Sequence, residues 1–290
     1  MNWRKVNLTC NCVDANLIEE ILVGYGAISI SMFDAIGNNP IYEPELGETP
    51  LWNNIKMFAL FDKNITKENI VVILKGISHS SLNISNLKDQ NWVKKYQESF
   101  KSLKFGERLW VVPSWHSGLK EKRNIYLKLD PGLAFGSGSH ETTHLCLEYL
   151  EKTKLDELTI LDYGCGSGIL SIATLLLGAK RAIATDIDPQ ALISTEENSR
   201  NNSVVDKLDI VQPDSIPNIK IDLLIANIFS NILIDYRDIF SNTLETGARI
   251  VLSGIMKDQL EIVVKYYENF FTMLNVKNRG DWCLVELKKK

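Results

Sequence analysis

Leu158-Thr159-Ile160-Leu161-Asp162-Tyr163, followed by Gly164-Cys165-Gly166-Ser167-Gly168, is a short apolar run that breaks into three glycines at alternate positions. A run of this length bounded by glycine reads as a strand buried on both faces, as the strands of parallel sheets are. The pattern then alternates: helix over 169–177, strand over 182–186, helix over 189–201, strands over 208–211 and 221–226, helix over 232–244, strand over 248–253, helix over 259–270. Pro189 suits the first turn of its helix, where the missing N–H costs nothing. Segments 272–275 and 282–287 are joined through Gly280 by a connection too short for a crossover, so they are expected to pair antiparallel. The alternation predicts an α/β domain with a mostly parallel seven-stranded sheet, helices on both faces and an antiparallel last strand.

Ligands of open α/β sheets sit at the carboxyl ends of the strands, where this glycine loop falls. Gly164, Gly166 and Gly168 allow a close backbone approach that any Cβ would prevent. Asp186, closing the next strand 22 positions after Gly164, can accept hydrogen bonds from both ribose hydroxyls of an adenosine-containing cofactor. Glycine loop plus acid is common to nicotinamide and methyl-donor enzymes, and the spacing helps separate them. A dinucleotide fingerprint is G-x-G-x-x-G; here the third glycine comes one position early and position 169 is isoleucine. Asp162, two residues before the loop, can hold the amino group of a methionine-like tail, for which a pyrophosphate-binding loop has no use. The plain alternative is a tight strand-to-helix turn.

Two more segments belong to the same end of the sheet. Leu129-Asp130-Pro131-Gly132-Leu133-Ala134-Phe135-Gly136-Ser137-Gly138-Ser139-His140-Glu141-Thr142-Thr143 is a glycine-rich loop entering a helix over 140–150. Its hydroxyls and free N–H groups can face a polar cofactor. Ala226-Asn227-Ile228 closes the fourth strand, where the Asn227 side-chain oxygen and a neighbouring backbone carbonyl can orient an attacking amine. The alternative for Asn227 is a helix cap.

Upstream, strand 3–9, helix 14–22, strands 27–33 and 57–62, helix 67–77 capped by Thr66 and strand 81–87 give the order β-α-β-β-α-β, a ferredoxin-like unit. It lacks the aromatic and glycine consensus that RNA-recognition modules use for base stacking, and reads as a partner-docking domain. Charge is uneven: −3 over 1–87, +5 over 88–123 with Trp92, Tyr96, Phe100, Phe105, Trp110 and Trp115 interleaved, and −6 over 124–290. The middle segment reads as a solvated amphipathic linker helix or as a contact surface for a ribonucleoprotein. A total charge of −4 argues against a protein gripping nucleic acid over its whole surface. No apolar run reaches membrane-spanning length, and the N-terminus has no secretory h-region. The five cysteines are scattered without a C-x-x-C pair, so no metal site is expected and reduced thiols in the cytoplasm are.

The run Asp130 to Thr143, the loop Asp162 to Gly168, Thr185-Asp186-Ile187-Asp188-Pro189 and Ala226-Asn227-Ile228 together closely resemble the PrmA family, the S-adenosylmethionine-dependent methyltransferases of ribosomal protein L11. Segment 92–115, with Phe105-Gly106-Glu107-Arg108-Leu109 and Pro113-Ser114-Trp115, is similar to the family's interdomain region. The resemblance implies a class I methyltransferase Rossmann-like domain over 124–290, a ferredoxin-like substrate-recognition domain over 1–90 and a basic linker over 91–123. It implies S-adenosylmethionine as cofactor, with contacts from Thr143, Gly164, Asp186 and Asn227, to which the loop reading adds Gly166. Phe135, Gly136 and His140 would lie beside the donor. Ser137 and Ser139 stand where many relatives have threonine, keeping the hydroxyl and losing a methyl. The implied reaction is methylation of lysine side chains or the terminal amine of ribosomal protein L11 by a monomer, with ribosomal contact through the basic linker. Asn227 is the expected catalytic residue, acting as orienter without a dedicated base. Alternatives are a class I enzyme acting on RNA or another translation-related protein, a nicotinamide oxidoreductase, and a non-catalytic assembly module. The first is disfavoured by the acidic catalytic part and the lack of an Asn-Pro-Pro-aromatic motif at Asn227.

Overall fold

The computed structural model describes residues 3–37, 50–87, 102–115, 121, 123–130 and 138–290, and the chain divides into two units, Met1–Gln97 and Glu98–Lys290. In the first, β1 (Trp3–Asn11), α1 (Cys12–Gly24), β2 (Ser29–Asp34), β3 (Asn54–Asp62), α2 (Lys67–Ile73) and β4 (Ser80–Leu87) form an antiparallel sheet in the order β2-β3-β1-β4. That is the ferredoxin-like arrangement. Alternate residues Val6, Leu8 and Cys10 of β1 and Ile55, Met57, Ala59 and Phe61 of β3 are buried with Ala15, Ile18 and Leu22 of α1 and Ile70 of α2. Helix α2 starts in a reciprocal cap: Thr66 Oγ1 accepts from Asn69 N–H at 3.2 Å and Asn69 Oδ1 from Thr66 N–H at 3.0 Å. It stops at Ile73, short of the expected 77, because the chain turns at Gly76 with φ +87°.

The second unit opens with β5 (Leu103–Phe105), β6 (Leu109–Val112) and β7 (Ile125–Lys128), a three-stranded sheet in which β5 and β6 pair antiparallel and β6 and β7 parallel. Then come α3 (Glu141–Lys152), β8 (Thr159–Tyr163), α4 (Ile169–Leu176), β9 (Arg181–Thr185), α5 (Pro189–Asn201), β10 (Leu208–Val211) and β11 (Leu223–Asn227). The chain ends with α6 (Ser230–Asp235), α7 (Arg237–Thr243), β12 (Arg249–Met256), α8 (Leu260–Tyr267), β13 (Phe271–Arg279) and β14 (Trp282–Lys289). The large sheet runs β10-β9-β8-β11-β12-β14-β13, parallel through β12, with β14 antiparallel to both its neighbours. Neighbouring residues of β8 serve opposite faces: Ile160 packs with Leu145, Ile169 and Leu223, while Leu161 packs with Leu224, Phe240 and Tyr267. Strand order reverses between β8 and β11, the switch point at which α/β sheets open a crevice.

Three expectations need correction. Segment 91–123 is not a linker helix over its described part: Phe105, Leu109 and Val111 are buried in the core of the second unit with Leu127 and Leu145. Part of its charge is used there too, since Arg108 Nε lies 3.7 Å from the buried Glu151 carboxylate and Arg108 N–H donates to it at 3.3 Å. Lys88, Lys94, Lys95, Lys101, Lys120, Lys122, Trp92, Tyr96 and Phe100 lie outside the described residues. The single helix expected over 232–244 is two, broken at Tyr236 (φ −89°, ψ 1°), which turns α7 so that Phe240 meets the Tyr163 ring edge-on at 5.0 Å. Finally, the last two strands are longer than read, and β14 inserts between β12 and β13.

Candidate functional site

The glycine loop is hung on β9. Gly164 and Cys165 N–H both donate to the Thr185 carbonyl, at 2.8 and 3.0 Å. Gly164, Gly166 and Gly168 have φ of +75°, +56° and +74°, so all three occupy the left-handed region that other residues enter only at a cost of ~1–2 kcal/mol. A Cβ on Gly168 would come within 2.7 Å of Thr195 Cγ2. Helix α5 braces the loop from behind: Thr195 Oγ1 donates to Gly166 O at 3.1 Å and Asn198 Nδ2 to Ser167 O at 2.9 Å. Sequence reading missed both braces; their signal was two polar residues three apart on one helix face. Asp188 Oδ1 caps α5 through Gln190 N–H at 2.9 Å, with Pro189 in the first turn as expected.

Asp186 closes the loop from the front. Its Oδ2 accepts from Gly166 N–H at 2.9 Å and its Oδ1 from Asp188 N–H at 3.0 Å. Each carboxylate oxygen retains a lone pair after these bonds. Asp162 is fully buried at the end of β8, with Oδ2 receiving Ser171 N–H at 2.9 Å and Ser171 Oγ–H, and Oδ1 without a partner among the described residues. Burial pushes its pKa up to about 6 against the Ser171 hydrogen bonds, and the Asp186 charge adds to the rise. Burial raises the thiol pKa of Cys165, between them, well above the ordinary range, which disfavours the thiolate.

Thr143 and Asn227 form the opposite side. Thr143 is buried in the first turn of α3, and Asn227 Nδ2 lies 3.4 Å from its Oγ1. Asn227 Oδ1 is buried and has no hydrogen-bond partner among the described residues. Parallel registers pair Tyr163 with Thr185 on one side and with Ala226 on the other, so Asp162, Thr185 and Asn227 end neighbouring strands almost level. Thr185 Oγ1, on the Tyr163 face of the sheet, is buried and unpartnered among the described residues. The Asp162 and Asn227 oxygens, on one face at the carboxyl ends of neighbouring strands beside a positive-φ glycine loop, suit a polar ligand with amino and hydroxyl groups, because unpaired buried acceptors are costly to keep. Ile228 links the two sides, since a Cβ on Gly164 would overlap its Cγ2.

Other expected residues have structural partners. His140 is the N-cap of α3: Nδ1 accepts from Thr142 N–H at 3.3 Å and lies 2.8 Å from Thr142 Oγ1, while the ring meets Trp282 edge-on at 5.0 Å. A nitrogen held as acceptor by the backbone is poorly placed to serve as a base. Asp130 accepts from Ser114 N–H and Oγ–H, both at 2.6 Å, joining two motifs that stand apart in the sequence. Phe135, Gly136 and Ser137 lie outside the described residues.

A family model described as ribosomal protein L11 methyltransferase (PrmA) matches residues 2–290. The chain is 39% identical over 287 residues to the ribosomal protein L11 methyltransferase of Hahella chejuensis, covering 98% of each. It is 38% identical over 294 residues to that of Pseudomonas fluorescens, covering 100% of each. Among solved structures it is similar to a ribosomal protein L11 methylase from Lactobacillus delbrueckii subsp. bulgaricus, at 32% identity and TM-score 0.61, covering 66% of this chain and 100% of that one.

Proposed function

The chain belongs to the ribosomal protein L11 methyltransferase family, S-adenosylmethionine-dependent enzymes of the class I Rossmann-like fold, and we propose that it methylates amino groups of ribosomal protein L11, on lysine side chains or the chain terminus. The buried Asn227 Oδ1, unpartnered among the described residues and beside the glycine loop, carries this reading. Bound S-adenosylmethionine supplies a methyl group on a positive sulfonium. Asp186 would offer its remaining lone pairs to the ribose hydroxyls, and the glycine loop, packed on Ile228 at Gly164 and on Thr195 at Gly168, would give the donor a surface to lie against. Asp162 Oδ1 accepts from the donor's ammonium group, and Thr143 holds the Asn227 amide so that its oxygen faces the amine. A lysine amine with a reference pKa of about 10.4 is protonated at neutral pH, so it must lose a proton to water before it can attack. Asn227 Oδ1 then fixes its remaining N–H, and positioning supplies most of the acceleration. Residues Met1–Gln97 recognise the protein substrate in this reading, and the basic stretch from Lys88 contacts the ribosome.

The direct test is mass spectrometry of purified ribosomal protein L11 incubated with enzyme and labelled donor. Methylated peptides are expected with the native chain, and Asn227→Ala should slow their formation about 10- to 100-fold. An unmodified substrate under conditions that methylate RNA would overturn the reading.

Asp162 makes a second prediction. A folded pKa of about 6 lies above the ordinary 3.8, so the stability linked to this group is fully present below about pH 4 and lost as pH rises through 6. At neutral pH the buried charge therefore costs on the order of 3 kcal/mol, and a bound cation offsets it. Affinity for S-adenosylhomocysteine, which keeps the ammonium group, should rise about tenfold from pH 5 to 7 and then level off. Asp162→Asn should flatten that profile. Equal affinity at both pH values would remove Asp162 from the site.

A further inference from the structure

Strand β11 ends at Asn227, paired in register with Ser253 of β12. The next residue of β12, Gly254, sits where the pairing with β14 slips between Ser253 and Ile255, and its φ is +83°. A Cβ on Gly254 would overlap the carbonyl oxygen of Ile228, fall 2.8 Å from its carbonyl carbon and lie 3.2 Å from its nitrogen. These are backbone atoms, so no change of rotamer relieves the overlap. On the other flank, a Cβ on Gly164 would overlap the Ile228 side chain. The residue after Asn227 is thus confined between Gly254 of β12 and Gly164, which directly follows β8; β12 and β8 are the two strands that flank β11. A glycine inside a strand marks a bulge or a close backbone approach, and Gly254 is both.

We propose that Gly254 is a positioning residue for methyl transfer: by leaving room for the Ile228 backbone at the bulge of β12, it sets the direction in which the chain leaves β11 and hence where Asn227 presents Oδ1 to the target amine. The inference rests on the reading of Asn227 as the group that orients the amine. Only glycine serves here. An asparagine tolerates positive φ in many turns, but any Cβ at this position pushes the Ile228 peptide away and takes Asn227 with it. Displacements of about 1 Å at an orienting group can cost about a hundredfold in rate. The donor's ribose contacts lie across the loop at Asp186 and are left in place.

The test uses the full chain. Gly254→Ala should lower kcat for the ribosomal protein about a hundredfold, by clearly more than it raises the Kd for S-adenosylhomocysteine measured by calorimetry. The Asn227 side-chain amide resonances of the S-adenosylhomocysteine complex should shift in the same variant. Should Gly254→Ala fail to fold, Ile228→Gly loosens the same segment without any overlap and should lower kcat about tenfold, again by more than it weakens cofactor binding. An unchanged kcat in the folded variant, or unmoved Asn227 resonances, overturns the proposal. So does a loss of cofactor affinity equal to the loss of kcat, which would make Gly254 a structural residue only. If the native chain methylates nothing on the ribosomal protein, the substrate reading falls, and the amide resonances still decide the placement of Asn227.

Discussion

Replacing Asp186 by Ala is expected to weaken S-adenosylhomocysteine binding by about two to four orders of magnitude. Two ribose hydroxyls donating to a charged acceptor are each worth roughly 1.5–3 kcal/mol, and every 1.4 kcal/mol is about tenfold in affinity. The same carboxylate receives Gly166 and Asp188 N–H, so alanine also loosens the loop the donor rests on. Both amides can turn to water, because Gly166 is only half-buried and Asp188 is exposed. The melting temperature should accordingly drop by only a few degrees. Calorimetry paired with thermal unfolding separates the two effects, and unaltered cofactor binding would place the adenosine elsewhere.

A fragment of residues 98–290 is expected to bind S-adenosylhomocysteine as the whole chain does and to lose methylation of the ribosomal protein by more than about a thousandfold. The glycine loop, Asp162, Asp186, Thr143 and Asn227 all belong to the second unit, with its two hydrophobic clusters, whereas a lone lysine side chain offers little surface for selection. The start of the fragment matters. Beginning at Lys120 would delete β5 and β6 and remove Phe105, Leu109 and Val111 from the core. At roughly 1.5–3 kcal/mol for each buried side chain, that loss rivals the roughly 5–15 kcal/mol stability of a whole domain. Circular dichroism should show the longer fragment folded and the shorter one largely unfolded. Full activity of the longer fragment on the intact ribosomal protein would remove substrate recognition from the first unit.

The parts of the fold legible in sequence are those whose cause is local. Strand β8 and its loop announce themselves because an apolar run meets glycines, and α5 because Asp188 and Pro189 start it; all keep their expected places. Thr66 was read as a cap from its position alone, and its partner Asn69 completes the box. The three-stranded sheet was hidden because strands of three or four residues are too short to show a period, and Phe105-Gly106-Glu107-Arg108-Leu109 looks as charged as a linker. Only the fold shows that Glu151 lies opposite Arg108. The candidate residues Gly164, Gly166 and Asp186 do meet, as do Thr143 and Asn227, because each stands at the end of an element that the alternation predicts. Gly254 carried a readable signal, an isolated glycine within Val251-Leu252-Ser253-Gly254-Ile255, but its partner Ile228 is a neighbour only across strands.

The position of β14 governs how the catalytic unit can be made. Residues Trp282–Lys289 are hydrogen-bonded on both sides, to β12 and to β13, and bury Trp282, Cys283, Leu284, Val285 and Leu287. While the chain is being synthesised, β12 keeps an open edge and β13 has nothing to pair with until these residues leave the ribosome. Chains normally fold domain by domain as they emerge, but this sheet can close only after Lys289 is available. A stop codon a dozen residues early would not trim the edge of the sheet; it would remove the strand that joins β12 to β13, leaving exposed strand edges on either side of the gap that invite aggregation.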